Sequence, residues 1–482
     1  MLDYDVVIIG GSSTGRYAAA IAAANHARVA LVEPLQPHSR ADYHPGYHQT
    51  LSQVTEGLQR TQQHLLSGVY QVTDVDAAQL NINWPIAGQY AESVVNNLAS
   101  RYSLESLARV GVDIIQGQGE FVTKPDLEFL VNRRILRSRR YLLAMGSKPK
   151  IPEIAGLALT GFLTVETLHK LSEIPAKLAI IGGDPSAVEL AQIFARLGTD
   201  VTIIVKSSHI LGKEDHRPAR LIQAHLEAEG ITVLTRTEVV QAQLIQGKKW
   251  VQAGNKALEV NEILVAAGRQ PQLQNLNLSD IGVKLNQGYL SLNQKLQTTN
   301  YKIYACGDLA GGYPFAQIAH YEAEVCLKNI LFFPRFEVNY QGIPWAIFTD
   351  PQLARVGLTE QQARRYYGDK VLIWQDSLVD LPKAQILGEI SGFYQLIGHR
   401  NGKILGASIV SPQASEIIGT IALAMRQGLK IDALAKLPQV GLTLSEMNSE
   451  MASAWQRHRY QKRQWVSDWI ETLYQWRRFW FS

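Results

Sequence analysis

Cysteine is almost absent from this sequence, whose 482 residues contain only Cys306 and Cys326. Two cysteines cannot build a disulfide framework, and so few fit a reducing compartment. Long apolar runs are missing as well, since none has the length that a bilayer-spanning helix needs. The N-terminus enters an apolar strand directly, without the charged leader and apolar core of a signal peptide. We therefore expect a cytoplasmic protein.

An excess of either charge is also lacking. The formal net charge is only +4, which gives no reason to expect a nucleic-acid partner. Apolar residues make up 46% of the chain, enough for real cores, so global disorder is not expected. At roughly 150 residues per domain, the length predicts about three domains.

Two stretches of the chain share one layout. "YDVVIIGGSSTGRYAAAIAAANHARVALVE" (4–33) reads as strand, glycine-rich turn, helix and strand, and "KLAIIGGDPSAVELAQIFARLGTDVTIIVK" (177–206) repeats this order with the same spacing. The layout is typical of a dinucleotide-binding unit. Two such units predict two nucleotide sites, most simply for a flavin and a nicotinamide.

Further motifs accompany the two units in a fixed order. They are "LAMGSKP" (143–149), "AAGRQPQ" (266–272), "IYACGD" (303–308) and "FTDPQLARVGLTE" (348–360). Together the motifs resemble the pyridine nucleotide–disulfide oxidoreductases, which include glutathione reductase, dihydrolipoamide dehydrogenase and mercuric reductase. The resemblance covers roughly residues 3–457.

The resemblance implies an α/β fold with two Rossmann-like dinucleotide-binding domains, a C-terminal α+β dimerisation domain and a homodimer. It predicts an FAD-binding domain in two parts (1–149 and 271–338), an NAD(P)-binding domain (150–270), a dimerisation domain (339–458) and an amphipathic Trp-rich tail (459–482).

The flavin site is predicted from two separate parts of the chain. A pyrophosphate needs backbone N–H groups at a helix N-terminus and no side chain in its way. Ser12 stands where the pattern has a second glycine, and its hydroxyl could bond a phosphate. Glu33 should accept the adenosine ribose hydroxyls, Asp308 matches the family's ribityl contact, and the amide of Ala316 should face the flavin's pyrimidine end. The predicted FAD contacts are Gly10, Gly11, Ser12, Ser13, Gly15, Glu33, Gly146, Asp308 and Ala316.

The nicotinamide site is predicted at Gly182, Gly183, Lys206 and Gly268. Asp184 occupies its second-glycine position, and a carboxylate 4 Å from a pyrophosphate is repelled by about 1 to 4 kcal/mol. No acid stands at the end of the second strand and Lys206 follows it, which favours NADPH over NADH. The alternative is a decayed site beside an exposed lysine.

The family's redox and base residues are not found. Counted along the chain, its Cys–x4–Cys pair falls at Ala41 and Gly46, and its catalytic histidine at Gly441, while Glu446 of that motif is kept. The two losses agree, because a base that serves thiols has no use without them. A disulfide or mercuric reductase is therefore not expected.

The segment "DYHPGYH" replaces the cysteines. Tyr43, His44, Tyr47 and His48 could line a pocket over the flavin, stacking on an acceptor and donating protons. A loop that only fills the space is the competing interpretation. A metal site is not expected, because Pro45 and Gly46 should break the helix that would align the histidines.

The tail after Ser453 contains an aromatic stripe. On a helix, Trp465, Trp469, Trp476 and Trp480 fall within an arc of about 60°, and Arg457, Arg459, Lys462 and Arg463 lie just upstream. Such a helix suits a membrane interface, and it equally suits the partner subunit or another protein.

The sequence as a whole predicts an FAD-dependent NAD(P)H oxidoreductase that reduces a diffusible acceptor, such as a quinone, directly. Glu189 corresponds to the family glutamate beside the flavin and should position the nicotinamide, although its usual lysine partner is missing. The alternative is an FAD-holding binding or assembly protein with little turnover.

Overall fold

The computed structural model describes residues 2–34, 44–66, 81–123, 126–312, 314–461 and 464–480. The chain forms two compact units, Met1–Ile210 with Glu227–Val338 and Leu211–Leu226 with Asn339–Ser482. The four-part division made from the sequence stays a prediction, and the structure adds that residues 211–226 group with the C-terminal unit.

The described helices are α1 (Ser13–Ala24), α2 (His44–Leu66), α3 (Trp84–Ser100), α4 (Leu104–Arg109), α5 (Leu157–Thr160), α6 (Pro185–Arg196), α7 (His216–Ala228), α8 (Ala316–Leu331), α9 (Glu360–Tyr367), α10 (Pro382–Leu387), α11 (Ala414–Arg426), α12 (Ile431–Ala435), α13 (Glu446–Gln461) and α14 (Gln464–Trp480). Short 3₁₀ helices span Val165–Lys170, Gly307–Leu309 and Gly368–Lys370.

The described strands of the first unit are β1 (Val6–Ile9), β2 (Val29–Glu33), β3 (Asp113–Gln116), β4 (Gly119–Val122), β5 (Glu128–Val131), β6 (Arg134–Leu136), β7 (Tyr141–Leu143), β8 (Ser147–Pro149), β9 (Leu163–Thr164), β10 (Lys177–Ile181), β11 (Asp200–Ile204), β12 (Thr232–Leu234), β13 (Val239–Ile245), β14 (Lys248–Ala253), β15 (Lys256–Val260), β16 (Glu262–Val265), β17 (Arg269–Pro271), β18 (Leu285–Asn286), β19 (Tyr289–Leu290) and β20 (Ile303–Ala305). The second unit has β21 (Pro344–Ile347), β22 (Gln352–Gly357), β23 (Val371–Ser377), β24 (Phe393–His399) and β25 (Ile404–Ser411).

Two parallel five-stranded sheets organise the first unit. Their strand orders are β20-β7-β1-β2-β3 and β12-β11-β10-β16-β9. In each sheet the central strand, β1 or β10, starts one repeated unit, and apart from exposed Lys177 at the start of β10 it is apolar and buried, as is typical of parallel strands. Ile9 pairs with both Val32 and Leu143, so β1, β2 and β7 end at one edge of their sheet. The internal repeat predicted from the sequence is confirmed by these two sheets.

The second unit is built on the antiparallel sheet β21-β22-β25-β24-β23. Its core includes Tyr394 and Trp455. Segment 211–226 is held to this sheet by a buried ion pair, since Arg355 Nε lies 2.6 Å from Glu214 Oε2 and the guanidinium stacks over Trp345 at 4.1 Å. Asp215 adds a cap, accepting hydrogen bonds from the Glu360 amide at the start of α9. The α+β domain expected after residue 339 is therefore present.

Candidate active site

The first glycine turn lies where β1 passes into α1. Gly10 has φ +119°, and a Cβ there would lie 2.4 Å from the carbonyl oxygen of Ala144. A Cβ on Gly15 would lie 2.0 Å from the Gly10 carbonyl oxygen. A side chain at either position would clash with these carbonyl oxygens, so glycine lets a ligand approach the backbone closely at the N-terminus of α1. This arrangement can cradle a pyrophosphate.

Ser12 and Ser13 stand at the start of α1, as N-cap and first residue. The hydroxyl of Ser12 accepts a hydrogen bond from the Gly15 amide at 3.1 Å and donates one to the Ala144 carbonyl at 2.6 Å. Its proton is therefore engaged in the fold, and any phosphate contact here is left to backbone amides.

Glu33 ends β2 and is only 2% exposed. One carboxylate oxygen, Oε1, contacts Nη2 of buried Arg16 on α1. The other, Oε2, is buried and has no hydrogen-bond partner among the described residues. A Cβ on Gly11 would lie 2.5 Å from the Glu33 carboxyl carbon. The unpartnered oxygen fits the predicted role, since a ribose hydroxyl would satisfy it.

Asp308 lies in the short 3₁₀ helix after β20. Its carboxylate accepts a hydrogen bond from the Ser147 hydroxyl and lies 3.5 Å from Nε of Arg269. Arg269 also donates to the Ser147 hydroxyl at 2.6 Å and to Glu166 at 2.8 Å. Three separate motifs thus meet at this carboxylate. Gly146 and Gly268, both with positive φ, immediately precede Ser147 and Arg269.

Ala316 is the first residue of α8, and Phe315 before it supplies no side-chain cap. The first amides of a sixteen-residue helix therefore face outward with partial positive charge. Glu322 of α8 accepts a hydrogen bond from the Gly307 amide at 2.7 Å. A Cβ on Gly307 would lie 3.8 Å from the Thr14 hydroxyl of α1. Both predicted flavin motifs therefore meet here.

The second glycine turn has the same shape with a carboxylate added. A Cβ on Gly182 would lie 2.0 Å from the Ala266 carbonyl oxygen, and one on Gly183 would lie 2.6 Å from the Val205 side chain. Asp184 is the N-cap of α6, and its Oδ2 lies 3.4 Å from the Cβ position of Gly268. The carboxylate therefore stands between the two predicted nicotinamide motifs.

Lys206 follows β11 and forms an ion pair with Glu238. Both side chains are well exposed, at 72% and 60%, and exposed pairs of this kind contribute little free energy. A ligand phosphate could exchange for Glu238 at small cost.

Helix α2 holds the predicted acceptor residues. Tyr43 lies outside the described residues, and of His44 only the backbone, at the start of α2, is described. Tyr47 is buried against α3, with its hydroxyl 3.4 Å from the Cβ position of Gly88. Burial raises the pKa of Tyr47, and Glu92 of α3 adds to the shift. This phenol is therefore directed toward α3.

His48 is fully enclosed at 1% exposure. Burial lowers its pKa from 6.5 to about 4, so the imidazole is neutral at physiological pH and is disfavoured as a proton donor there. The pocket expected over the flavin stays a prediction. Glu189 is buried on α6, the helix against which α2 packs.

The expectation that Pro45 and Gly46 break the helix is wrong. Helix α2 runs without interruption from His44 to Leu66, because Pro45 lies in the first turn, where its missing N–H is not needed. His44 and His48 therefore share one helix. Within the described ranges no cluster of three or more His, Cys, Asp or Glu could hold a metal ion.

The two cysteines are both free and buried in the core between β20 and α8. Burial raises the pKa of the Cys326 thiol well above its usual value, and a hydrogen bond with Cys306 raises it further. A buried protonated thiol is a poor nucleophile.

Gly441, the predicted position of the family's histidine, lies in the second unit close to Glu446. A Cβ on Gly441 would lie 3.9 Å from Glu446 Oε1. Glu446 Oε2 is buried and has no hydrogen-bond partner among the described residues. Glu446 thus lies beside Gly441, and the assignment of Gly441 to the family's histidine position stays a prediction.

Sequence reasoning missed Arg16, Ser147, Arg269 and Glu166. A charged residue in the first turn of an alanine-rich helix was a signal for Arg16. The other three lie in or near recognised motifs, but only the folded chain shows their contacts.

Comparison with known proteins agrees with this geometry. Residues 4–323 match the pyridine nucleotide-disulphide oxidoreductase family and residues 343–452 its dimerisation domain, which supports a homodimer. The chain is 31% identical over 454 residues to a mercuric reductase of Staphylococcus aureus, covering 92% of this chain and 81% of that protein. It is 28% identical to a dihydrolipoyl dehydrogenase of Chlamydia pneumoniae, covering 93% and 96% of the two chains.

Among solved structures, the HOCl-induced flavoprotein disulfide reductase RclA from Escherichia coli superposes with a TM-score of 0.79 at 25% identity, covering 93% of this chain and 99% of that one. LpdA from Mycobacterium tuberculosis, at 22% identity, shares the fold with a TM-score of 0.84, covering 93% and 99%. The chain therefore belongs to the pyridine nucleotide-disulphide oxidoreductase family, whose members are FAD-dependent and use NAD(P)H as electron donor.

Proposed function

We propose that this protein is an NAD(P)H oxidoreductase that passes electrons from FAD directly to a diffusible acceptor such as a quinone, without a redox disulfide. The observation that carries the proposal is the placement of its only two thiols. Cys306 and Cys326 are enclosed in a core, and Ala41 and Gly46 stand in the sequence where the family pair would fall. Thiol–disulfide exchange needs a thiolate that can reach a sulfur.

The open position at Gly441 supports the same conclusion independently. Glu446 in the family motif orients a histidine that serves the thiols, and here its carboxylate faces a glycine. Both halves of the disulfide machinery are thus replaced, while the flavin motifs are kept.

The residues of the chain divide the remaining work. When bound, FAD supplies the redox chemistry, which consists of accepting a hydride from NAD(P)H and transferring electrons onward. The turn at Gly10 and Gly15 holds the pyrophosphate by backbone amides. Asp308, fixed by Ser147 and Arg269, holds the ribityl chain. The N-terminus of α8 at Ala316 would present backbone amides to the pyrimidine end of the flavin, where they would favour negative charge.

Asp184 favours a second candidate function, an FAD-holding binding or assembly protein with little turnover. Asp184 is the N-cap of α6, with its carboxylate 3.4 Å from the Cβ position of Gly268, and a pyrophosphate bound at this turn would be repelled by it. Lys206 argues against this second candidate. Its exposed ion pair with Glu238 can be exchanged for a ligand phosphate, and its positive charge suits the 2′-phosphate of NADPH.

One anaerobic experiment separates the two candidates. NADPH is added to the purified holoprotein and the visible flavin band is followed. We expect bleaching by NADPH, recovery on adding a water-soluble benzoquinone, and no recovery with oxidised glutathione, lipoamide or Hg(II). Recovery with one of these three at the quinone rate would overturn the direct-transfer proposal. Bleaching by dithionite but not by NADPH or NADH would establish the binding protein.

We also propose that the tail docks on an anionic lipid surface. Helix α14 presents a row of exposed apolar side chains: Trp469, Leu473, Trp476, Phe479 and Trp480. Trp476 and Trp480 lie side by side, with ring centroids 5.8 Å apart. Most of the row is aromatic, the composition favoured at the headgroup level of membranes. None of the described helices is both long and apolar enough to cross a bilayer.

The charge of the tail supports a lipid surface over a protein groove. From Arg457 onward the chain has six Lys or Arg and two Asp or Glu. This stretch therefore accounts for the entire net charge of +4, and the body before it is neutral overall. A basic, aromatic helix on a neutral body fits an anionic membrane.

A further inference from the structure

The buried pair of Arg16 and Glu33 has two unsatisfied atoms. The side chains are 9% and 2% exposed, and Arg16 Nη2 contacts Glu33 Oε1. Arg16 Nε and Glu33 Oε2 are buried, and neither has a hydrogen-bond partner among the described residues. Buried polar atoms are nearly always paired in folded proteins, so a ligand that supplies both partners is expected.

The two atoms have complementary chemistry. Arg16 Nε–H can only donate a hydrogen bond, and Glu33 Oε2 can only accept one. A vicinal diol does both, because each hydroxyl has a proton and lone pairs. We propose that Arg16 is a positioning residue for the adenosine end of FAD, with its Nε–H donating to one ribose hydroxyl while Glu33 Oε2 accepts from the diol.

The position of the pair identifies this part of the cofactor. Arg16 lies in the first turn of α1, directly after the glycine turn. The Glu33 carboxyl carbon lies 2.5 Å from where a Cβ on Gly11 would stand. The pair therefore adjoins the turn that holds the pyrophosphate, on the side of β2, where this unit places a ribose.

Arg16 also compensates the buried negative charge of Glu33. A lone carboxylate as buried as Glu33 would be poorly solvated and would repel the nearby pyrophosphate. The guanidinium neutralises it and leaves one oxygen free for the ribose. The inference concerns cofactor binding only and does not depend on which acceptor the enzyme reduces.

The test is cofactor affinity, measured by flavin fluorescence on the flavin-stripped full-length protein. Three probes are used: FAD, FMN, and an FAD analogue with 2′,3′-dideoxyadenosine. For Arg16→Met we expect FAD binding to weaken about tenfold, the effect of one to two lost hydrogen bonds, and FMN binding to stay unchanged. The wild type should prefer FAD over the dideoxy analogue, and the variant should show a smaller preference, because only Glu33 Oε2 is left to bond the diol.

Two further variants keep the test decisive. Arg28→Met removes an exposed arginine that pairs with Asp5 in the same repeated unit, and it should bind all three probes as the wild type does. Arg16→Lys keeps the charge if Arg16→Met does not fold, and it should also show a smaller preference for the diol than the wild type. Full preference in Arg16→Lys, or equal weakening of FAD and FMN in Arg16→Met, would overturn the proposal.

Discussion

At the scale of single residues, burial decides chemistry more strongly than residue type. His48 is of the type that exchanges protons near neutral pH, yet the fold encloses it and lowers its pKa to about 4. The Cys326 thiol is a potential nucleophile, yet burial raises its pKa. Neither side chain can be assigned a reactive role from its identity alone.

The depressed pKa of His48 predicts a pH-dependent stability. Between pH 6.5 and about 4 the unfolded state takes up a proton that the folded state excludes. The free energy of unfolding should therefore fall as the pH drops through this window, by about 3 kcal/mol from this one group. His48→Leu should lose that dependence.

Denaturant unfolding of both proteins at several pH values measures the difference. Exposed His169 provides the control, because His169→Leu should leave the wild-type pH dependence in place. Parallel curves for the wild type and His48→Leu would show that His48 is not buried as described.

At the scale of elements, the two glycine turns occupy equivalent places in the two repeated units, and they differ in charge at one position. Asp184 stands at the second turn where the first has Ser12. Asp184→Gly should therefore strengthen NADPH binding about tenfold and leave flavin content unchanged, since the repulsion removed is worth about 1 kcal/mol or more. Equilibrium titration with NADPH measures the change.

Asp200 supplies the matched control for this substitution. It is an exposed acid at the start of β11 in the same unit, so Asp200→Asn should leave NADPH affinity unchanged. If Asp184→Gly binds NADPH no better than the wild type, the carboxylate is not what limits the second site.

The joint of segment 211–226 with the C-terminal sheet rests on Glu214 and Arg355. Glu214→Ala leaves the guanidinium of Arg355, 1% exposed, without its carboxylate partner. We expect the free energy of unfolding of this unit to fall by about 3 kcal/mol. Glu259→Ala, which breaks the exposed pair with Lys248, should cost less than about 1 kcal/mol. Similar losses in both variants, measured by thermal unfolding, would contradict this account.

At the scale of the whole molecule, the tail should be separable from the catalytic body. Deleting 459–482 should keep flavin binding and the homodimer and abolish binding to vesicles that contain anionic phosphatidylglycerol. Trp469→Ala with Trp476→Ala should do the same without truncation, and salt should weaken the wild-type interaction. Vesicle flotation and light scattering measure these properties.

Each contrary result has a distinct meaning. A truncated protein that floats with vesicles as the full chain does, or a full chain that never floats, rules out lipid docking. A truncated protein that becomes monomeric identifies the aromatic row as a contact between subunits.

The sequence by itself determined the repeated units, the fold class, the glycine turns and the helical tail. These features depend on local periodicity and on positions where only glycine fits, such as Gly10 and Gly182. The prediction of a break in α2 was wrong, because proline is tolerated in the first turn of a helix. The sequence did not show that α2 starts just before Pro45.

Only the tertiary structure decided which polar groups meet. Ser147 and Asp308 are 161 positions apart in the chain, and no local pattern predicts their hydrogen bond. The burial of His48, the enclosure of both thiols and the partner of Glu33 likewise depend on what packs around each group. Charge and proton affinity follow from that environment, because desolvation and neighbouring charges arise only when distant segments come together.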